Sequence, residues 1–264
     1  MSNFIEKYFD VTPDPRATKS YLIGNPLQTL LLLAIYVCFV KKWGPFIMQN
    51  RKPFELKAVL IIYNIVQVLM NGYFVYVATP LILYHREWFG RCFRINESDP
   101  EIEKLNMHLS YSFCVVKIVD LFDTIFFVLR KRHKQVSFLH FYHHIMVCSA
   151  SCLIYRYVPN GHINIMAYVN STVHTVMYFY YLMSSLKPNL KQSIWWKKYI
   201  TIMQMAQFVF LSLFVYYPRR NGENCGYPFK LMSFVLYQNF ILFYLFAKFY
   251  IKTYVSVTKS TSKQ

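Results

Sequence analysis

The fourth apolar segment of the sequence opens with three histidines at helical spacing. His143 and His144 follow His140 by three and four residues, so the three rings project to one side of a helix. Imidazole can act as a base, an acid, a nucleophile or a metal ligand. A lone histidine in apolar surroundings is more often a packed core residue, but three on one face predict a chemical site. Metal chemistry and acyl chemistry both stay open at this point.

Charged side chains occupy the preceding apolar segment, where burial in lipid is costly and therefore indicates function. Lys117 and Asp120 are three residues apart and can neutralise each other, whereas Asp123 needs a further donor. Thr124 shares the face of the first two. We interpret the aspartates as active-site residues. Lys117 and Thr124 fit either a substrate site or an interhelical polar clamp.

The fifth apolar segment carries a further polar face. Asn170, His174 and Tyr178 recur at four-residue intervals, which predicts that they share one side of a helix. His174 is a site candidate because the amide of Asn170 can fix the tautomer of its imidazole. Gln204 in the sixth segment is predicted to line the site. The remaining amides of the last two segments are interpreted as interhelical hydrogen bonds.

Membrane helices have to position these groups. Hydrophobic residues make up 55% of the 264 residues and charged residues only 16%, which excludes a disordered chain and disfavours a soluble domain. A helix needs about 20 mostly apolar residues to cross a bilayer. The pattern predicts an all-α integral membrane protein with seven transmembrane helices in a single domain over residues 1–264. The predicted spans are approximately Pro26–Val40, Ala58–Leu83, Leu105–Leu129, Phe138–Ile154, Ile163–Leu186, Ile200–Tyr217 and Leu231–Val255.

Basic residues set the predicted orientation. The formal net charge is +17, but Lys and Arg lie between apolar segments rather than on a soluble module that could bind nucleic acid. The C-terminus and the connections after spans 1, 3 and 5 are the more basic set, so they are predicted to face the cytosol and the N-terminus the lumen. The imidazoles and carboxylates would then meet in one water-poor chamber in the cytosolic half. Its mouth would include Arg130, Lys131 and Lys187, which suit a phosphorylated substrate.

Two of the six cysteines lie in loops that are predicted to be lumenal. An oxidising lumen would allow Cys92 and Cys225 to pair, and two free thiols are the alternative. The other four cysteines fall in apolar segments and are interpreted as small core residues.

Four motifs together resemble those of the very-long-chain fatty acid elongases, the membrane 3-oxoacyl-CoA synthases. They occur in family order: Lys117–Thr124, His140–His144, Asn170–Tyr181 and Thr201–Gln207. The resemblance covers nearly the whole chain. It implies an endoplasmic reticulum enzyme in which six of the helices form a barrel around an acyl tunnel. It also implies a disulfide that matches the two loop cysteines.

The resemblance further implies a reaction and residue roles. A fatty acyl-CoA joins malonyl-CoA with loss of CO2, which gives a 3-oxoacyl-CoA two carbons longer. His143 would take the acyl group as a nucleophile, with His174 close by in substrate handling. Four further residues would orient the rings and transfer protons: His140, His144, Asp120 and Asp123. Asn170 and Tyr178 would stabilise the enolate. Apart from the two CoA co-substrates, we expect no tightly bound cofactor and no metal.

Two alternatives belong to other functional classes. A membrane di-iron desaturase or hydroxylase also uses an H-x-x-H-H pattern, but it needs more histidines than the four that cluster here. A seven-helix receptor or transporter fits the span count, yet buried acids and imidazoles near the cytosolic face suit an external ligand poorly. For an elongase, the expected partners are membrane lipid, acyl-CoA, the reductases and dehydratase of the cycle, and a second copy of the chain; no nucleic acid is expected.

Overall fold

The computed structural model describes residues 2–21, 23–84, 99–159, 162–187, 189–190, 194–220 and 228–255. Within these residues the chain is helical and contains no β-strand, which confirms the predicted all-α class. Cys92 and Cys225 lie outside the described residues, so their pairing stays a prediction. The α-helices in chain order are α1 Ser2–Phe9, α2 Pro15–Thr18, α3 Pro26–Cys38, α4 Gly44–Met48, α5 Lys57–Tyr84, α6 Pro100–Val119, α7 Phe122–Leu129, α8 Phe138–Tyr157, α9 His162–Leu186, α10 Ile194–Arg220 and α11 Phe229–Tyr250.

Four helical stretches are long and apolar enough to cross a membrane. They are Pro26–Met48, Lys57–Leu83, Ile194–Tyr217 and Phe229–Val255. The other three long helices, α6, α8 and α9, carry Lys117 and the four histidines of the predicted site. The chain is therefore a multi-pass membrane protein. The count of seven spans, the barrel and the orientation of the termini stay predictions.

The third predicted span differs from the structure. The sequence predicted one continuous helix over 105–129, but the helix is interrupted at Asp120 and Leu121, between α6 and α7. Leu121 N–H donates to Ile118 O and Asp123 N–H donates to Asp120 O, both at 3.2 Å. These bonds reach back three residues instead of four, so the chain tightens into a 3₁₀-like turn at the junction. The aspartates thus flank a turn rather than lie along one straight helix.

The first predicted span is longer in the structure. It was predicted to end at Val40, before a basic pair. Instead the helix passes through a π-helical turn, Phe39–Trp43, and continues as α4 to Met48. Lys41 therefore lies inside the helical stretch, not in a loop.

The structure divides into two compact units, which we describe separately. The first takes its described residues from 2–58, 99–167 and 228–231. Its hydrophobic core joins α3, α6, α7 and α8 and includes Cys114, Cys148 and Cys152 as buried free thiols, as predicted. Cys38 was also predicted to be a core residue, but it is exposed on α3.

The N-terminal segment is attached to α6 and α8 within the first unit. Asp14 caps α2, because its carboxylate accepts the N–H of Arg16 at 2.8 Å. Arg16 also forms an ion pair with Glu103 of α6, and Arg156 of α8 donates to the carbonyl of Gly24. Burial raises the pKa of Asp14, but the hydrogen bonds and positive charge of Arg16 outweigh burial and hold that pKa below its ordinary value.

The second unit takes its described residues from 59–84, 168–220 and 232–255, and so contains most of α5, α9, α10 and α11. Helices α10 and α11 contact each other through Phe208 and Phe246, whose ring centroids are 5.3 Å apart. Helix α5 contacts α9 through Thr79 and Tyr168, whose oxygens are 3.2 Å apart.

Candidate active site

The histidine cluster occupies the first two turns of α8, in the first unit. Ser137 starts this helix as its N-cap, and its hydroxyl accepts the N–H of His140 at 3.2 Å. The ring centroid of His144 lies 4.3 Å from that of His140 and 5.6 Å from that of His143. The structure therefore brings the three predicted imidazoles together, with the first of them next to the helix cap.

Two hydroxyl groups from other helices form a chain that ends on the first of these histidines. Thr124 Oγ1 in α7 lies 2.9 Å from His140 Nε2. Tyr36 in α3 donates its hydroxyl to Thr124 Oγ1 at 2.7 Å. Asp123 lies in the first turn of α7, one residue before Thr124. Sequence reasoning missed Tyr36, because nothing in the local spacing separates it from the other 22 of the 23 tyrosines in the chain.

The predicted ion pair between Lys117 and Asp120 is confirmed. Lys117 Nζ lies 2.8 Å from Asp120 Oδ2, and the two side chains are only 2% and 3% exposed. The ammonium also lies 5.0 Å from the centre of the Phe113 ring, a cation–π contact. Lys117 lies on α6, which packs against α8, the helix of the histidine cluster. Lys117, which was predicted to bind substrate, is engaged by Asp120.

The cations at the end of α7 are held in a defined turn. Arg132 N–H donates to Phe127 O at 2.8 Å. Lys131, the residue before Arg132, has a φ of 52°. This is the hydrogen bond of a Schellman motif, in which the left-handed position usually holds glycine. Lys131 Nζ also donates to Gln49 O at 3.3 Å. Burial, together with the positive charge of Arg132, lowers the pKa of Arg130.

The polar face of α9 lies in the second unit. Asn170, His174 and Tyr178 are all buried, at 7%, 5% and 0% exposure, as their four-residue spacing predicts. The Tyr178 ring centroid lies 5.7 Å from that of His174 and 6.0 Å from that of Tyr63 in α5. Tyr178 thus packs His174 against the neighbouring helix of this unit.

Helix α5 contributes a polar stripe that sequence reasoning missed. Gln67 Nε2 donates to the hydroxyl of Tyr63 at 2.9 Å, and Asn71 Nδ2 donates to Gln67 Oε1 at 3.2 Å. All three side chains are buried. They recur at four-residue intervals, which is the spacing that identified the face of α9, so the same test applied to this segment would have found them.

Several buried polar atoms of α9 have no hydrogen-bond partner among the described residues. They are Asn170 Oδ1, Ser171 Oγ, Tyr180 Oη and Ser184 Oγ. The amide oxygen of Asn170 therefore does not fix the tautomer of His174. An unsatisfied buried polar atom costs about 1–3 kcal/mol, and in a native protein it calls for water or a ligand.

The two remaining predicted residues of the second unit lie near the same helix. Gln204 in α10 directs its Nε2 to Met177 Sδ of α9, at 3.5 Å. Lys187 follows the last residue of α9 and is exposed, with its backbone N–H donating to Met183 O at 2.8 Å. Gln204 thus contacts α9, whereas Lys187 lies just after its last residue.

Comparison with known proteins identifies the family. A family model described as ELO, the GNS1/SUR4 family, matches residues 21–263. The chain belongs to the GNS1/SUR4 family. Very long chain fatty acid elongase 7 of Drosophila melanogaster is 33% identical over 250 residues, covering 93% of this chain and 74% of the relative. Very long chain fatty acid elongase 1 of Mus musculus is 36% identical over 248 residues, covering 91% and 86%, and its Homo sapiens counterpart is 35% identical with the same coverage.

Family membership confirms the resemblance that the four sequence motifs indicated. In this GNS1/SUR4 protein the motifs are divided between the two units. The first holds the histidine cluster, the ion pair and the cations after α7, and the second holds the polar face of α9 with Gln204. The prediction that both sets line one chamber stays a prediction.

Proposed function

We propose that this protein is the condensing enzyme of fatty acid elongation. It joins a long-chain fatty acyl-CoA to malonyl-CoA and releases CO2 and one CoA, giving a 3-oxoacyl-CoA two carbons longer. The observation that supports this most strongly is the gathering of His140, His143 and His144 on α8, which packs against the helix that carries Lys117 of the buried Lys117–Asp120 pair. The relatives named very long chain fatty acid elongases support the same reaction class.

In the proposed first step, His143 is the nucleophile. One imidazole nitrogen attacks the acyl carbon of the fatty acyl-CoA, and the CoA thiolate leaves. The other ring nitrogen loses its proton, so that the product is a neutral acyl-imidazole and the leaving thiolate is neutralised. His144, whose ring packs at a steep angle against that of His143, is the proposed proton carrier. Surroundings poor in water protect the intermediate from hydrolysis.

In the proposed second step, malonyl-CoA supplies the carbon nucleophile. Its carboxylate leaves as CO2, and the electron pair of the broken C–C bond forms an enolate. The enolate carbon attacks the acyl carbon and the imidazole leaves. The imidazole takes up a new proton from solvent, since its first proton left with CoA. Asn170 and Tyr178, both buried in the second unit, are the proposed donors for the enolate oxygen, and His174 handles the substrate beside Tyr178.

The proposed location is the endoplasmic reticulum membrane, with substrate arriving from the cytosol. Arg130, Lys131 and Lys187 would meet the phosphates of CoA, as cations that are partly or fully exposed. A 3-oxoacyl-CoA must be reduced and dehydrated before another round, so a reductase and a dehydratase are the proposed partners, and a second copy of the chain is a further one.

A direct assay tests the function. The full-length protein in lipid nanodiscs is incubated with labelled malonyl-CoA and acyl-CoAs of several chain lengths. We expect a labelled 3-oxoacyl-CoA from at least one acyl-CoA. If no acyl length gives product and the purified protein carries two irons per chain, the oxygenase alternative replaces this proposal.

The nucleophile has its own test. We expect His143→Ala to lower turnover by at least about 1,000-fold, since both acyl transfer and proton transfer are lost. His133→Ala is the matched control, because His133 is an exposed histidine in the short 3₁₀ turn before α8. With acyl-CoA alone, mass spectrometry should find an acyl group on the peptide that contains residue 143. Turnover retained in His143→Ala would refute the assignment.

A further inference from the structure

A chain of two hydroxyl groups ends on one imidazole of the histidine cluster. Tyr36 donates to Thr124 Oγ1 at 2.7 Å, and Thr124 Oγ1 lies 2.9 Å from His140 Nε2. The three residues belong to α3, α7 and α8 of the first unit. Tyr36 is 4% exposed and Thr124 is fully buried, so bulk water does not compete for these bonds.

Counting hydrogens gives the direction of the second bond. A threonine hydroxyl has one hydrogen and two lone pairs. Thr124 already accepts the hydrogen of Tyr36, so its own hydrogen needs an acceptor, and His140 Nε2 is the one within reach among the described residues. The opposite direction, with Nε2–H donating, would leave the threonine hydrogen without an acceptor in a buried place, which is unfavourable.

We propose that Tyr36 and Thr124 are positioning residues that hold His140 in the neutral tautomer protonated on Nδ1. In that state Nε2 is occupied as an acceptor and Nδ1 carries a hydrogen, so neither nitrogen of His140 can attack an acyl carbon. The chain therefore directs acylation away from His140 and towards His143. It also fixes the ring that packs 4.3 Å from His144. This inference rests on the proposed function.

Three variants of the full-length protein separate the members of the chain. We expect Thr124→Val to lower kcat about 10- to 100-fold with KM unchanged for both CoA substrates, the usual effect of removing a group that fixes the orientation of an active-site residue. Tyr36→Phe should lower kcat less, because the threonine hydroxyl can still donate to Nε2. Thr124→Ser keeps the hydroxyl and should retain most of kcat.

A merely structural role would give a different pattern. Leu33→Ala is the matched control, since Leu33 is buried one turn before Tyr36 on α3 and belongs to the same core. It should lower the melting temperature at least as much as Tyr36→Phe and leave kcat per folded molecule unchanged. An equal loss of kcat in Leu33→Ala and Thr124→Val would overturn the proposal.

Nuclear magnetic resonance of the ring nitrogens gives a readout that does not depend on activity. In protein labelled with ¹⁵N-histidine, the signals of His140 are those lost in His140→Asn. We expect its Nε2 to be unprotonated in the wild type, and the two tautomers to mix in Thr124→Val. A protonated Nε2 in the wild type would overturn the proposal, even if the protein makes no 3-oxoacyl product and the proposed function itself has failed. Wild-type kcat in both Tyr36→Phe and Thr124→Val would overturn it in an active enzyme.

Discussion

The ion pair and hydroxyl chain of the first unit differ from the polar face of α9 in the second unit in how their buried polar groups are satisfied. In the first, Lys117 is paired with Asp120, and the hydroxyl chain ends on His140, so these polar groups satisfy one another. In the second, Asn170 and Tyr180 each bury an oxygen that has no hydrogen-bond partner among the described residues. Groups that already have hydrogen-bond or ion-pair partners are held in position before substrate arrives. Unsatisfied groups gain a partner only when water or a ligand binds.

This difference indicates a division of labour. Fixed donors and charges cost no reorganisation at the moment of reaction, which suits the residues that surround the proposed nucleophile. Unsatisfied groups destabilise the empty protein and recover that energy on binding, which suits a surface that receives substrate. Three substitutions test the comparison, and we order them from the largest expected effect to the smallest.

Breaking the ion pair should have the largest effect. Asp120→Asn leaves the ammonium of Lys117 buried without its counter-charge, and we expect it to lower the free energy of unfolding by about 3–5 kcal/mol. Thermal unfolding in nanodiscs measures the change.

The double variant Lys117→Met with Asp120→Leu is the control for that experiment. It removes both charges, so we expect most of the stability to return while turnover does not. If Asp120→Asn melts at the wild-type temperature, the pair is not an internally satisfied unit and the comparison of the two units fails.

Removing an unsatisfied hydroxyl should raise the free energy of unfolding instead of lowering it. Tyr180→Phe deletes a buried group that has no partner among the described residues, so we expect the substrate-free protein to be more stable by about 1 kcal/mol. If that hydroxyl meets substrate, the KM for one of the CoA substrates should rise at the same time.

Tyr157→Phe is the matched control, because the hydroxyl of Tyr157 is also buried without a partner among the described residues, but at the far end of α8 from the histidines. It should gain similar stability and leave KM unchanged. A rise in KM in both variants would mean that the effect is general rather than specific to the polar face of α9.

The smallest expected effect is at the end of α7. Lys131→Gly removes one cation, while glycine suits the left-handed φ of 52° better than lysine does. We expect stability to be kept or slightly raised, and the KM for malonyl-CoA to rise about two- to five-fold, the size of one solvent-exposed charge interaction. Lys131→Arg keeps the charge and should keep the KM. An unchanged KM in Lys131→Gly would remove this residue from the proposed CoA-binding cations.

Much of the fold and part of the site could be predicted from spacing alone. Local periodicity places the three histidines on one side of α8 and buries Asn170, His174 and Tyr178 together on α9, because a helix repeats every 3.6 residues. The break after Val119 could not be predicted, since the segment contains no proline or glycine to mark it. The stripe on α5 was missed although its spacing was present.

By itself the sequence determined the helical class, the membrane-spanning character, the family and the residue types of the site, since composition and short-range periodicity carry that information. Tertiary structure alone decided which groups meet. Tyr36 and Thr124 are 88 positions apart, and their hydrogen bond depends on how two helices pack, a long-range fact that no local pattern records. Packing also decided which buried polar atoms are satisfied, because a side chain finds its partner only after the helices have taken their places.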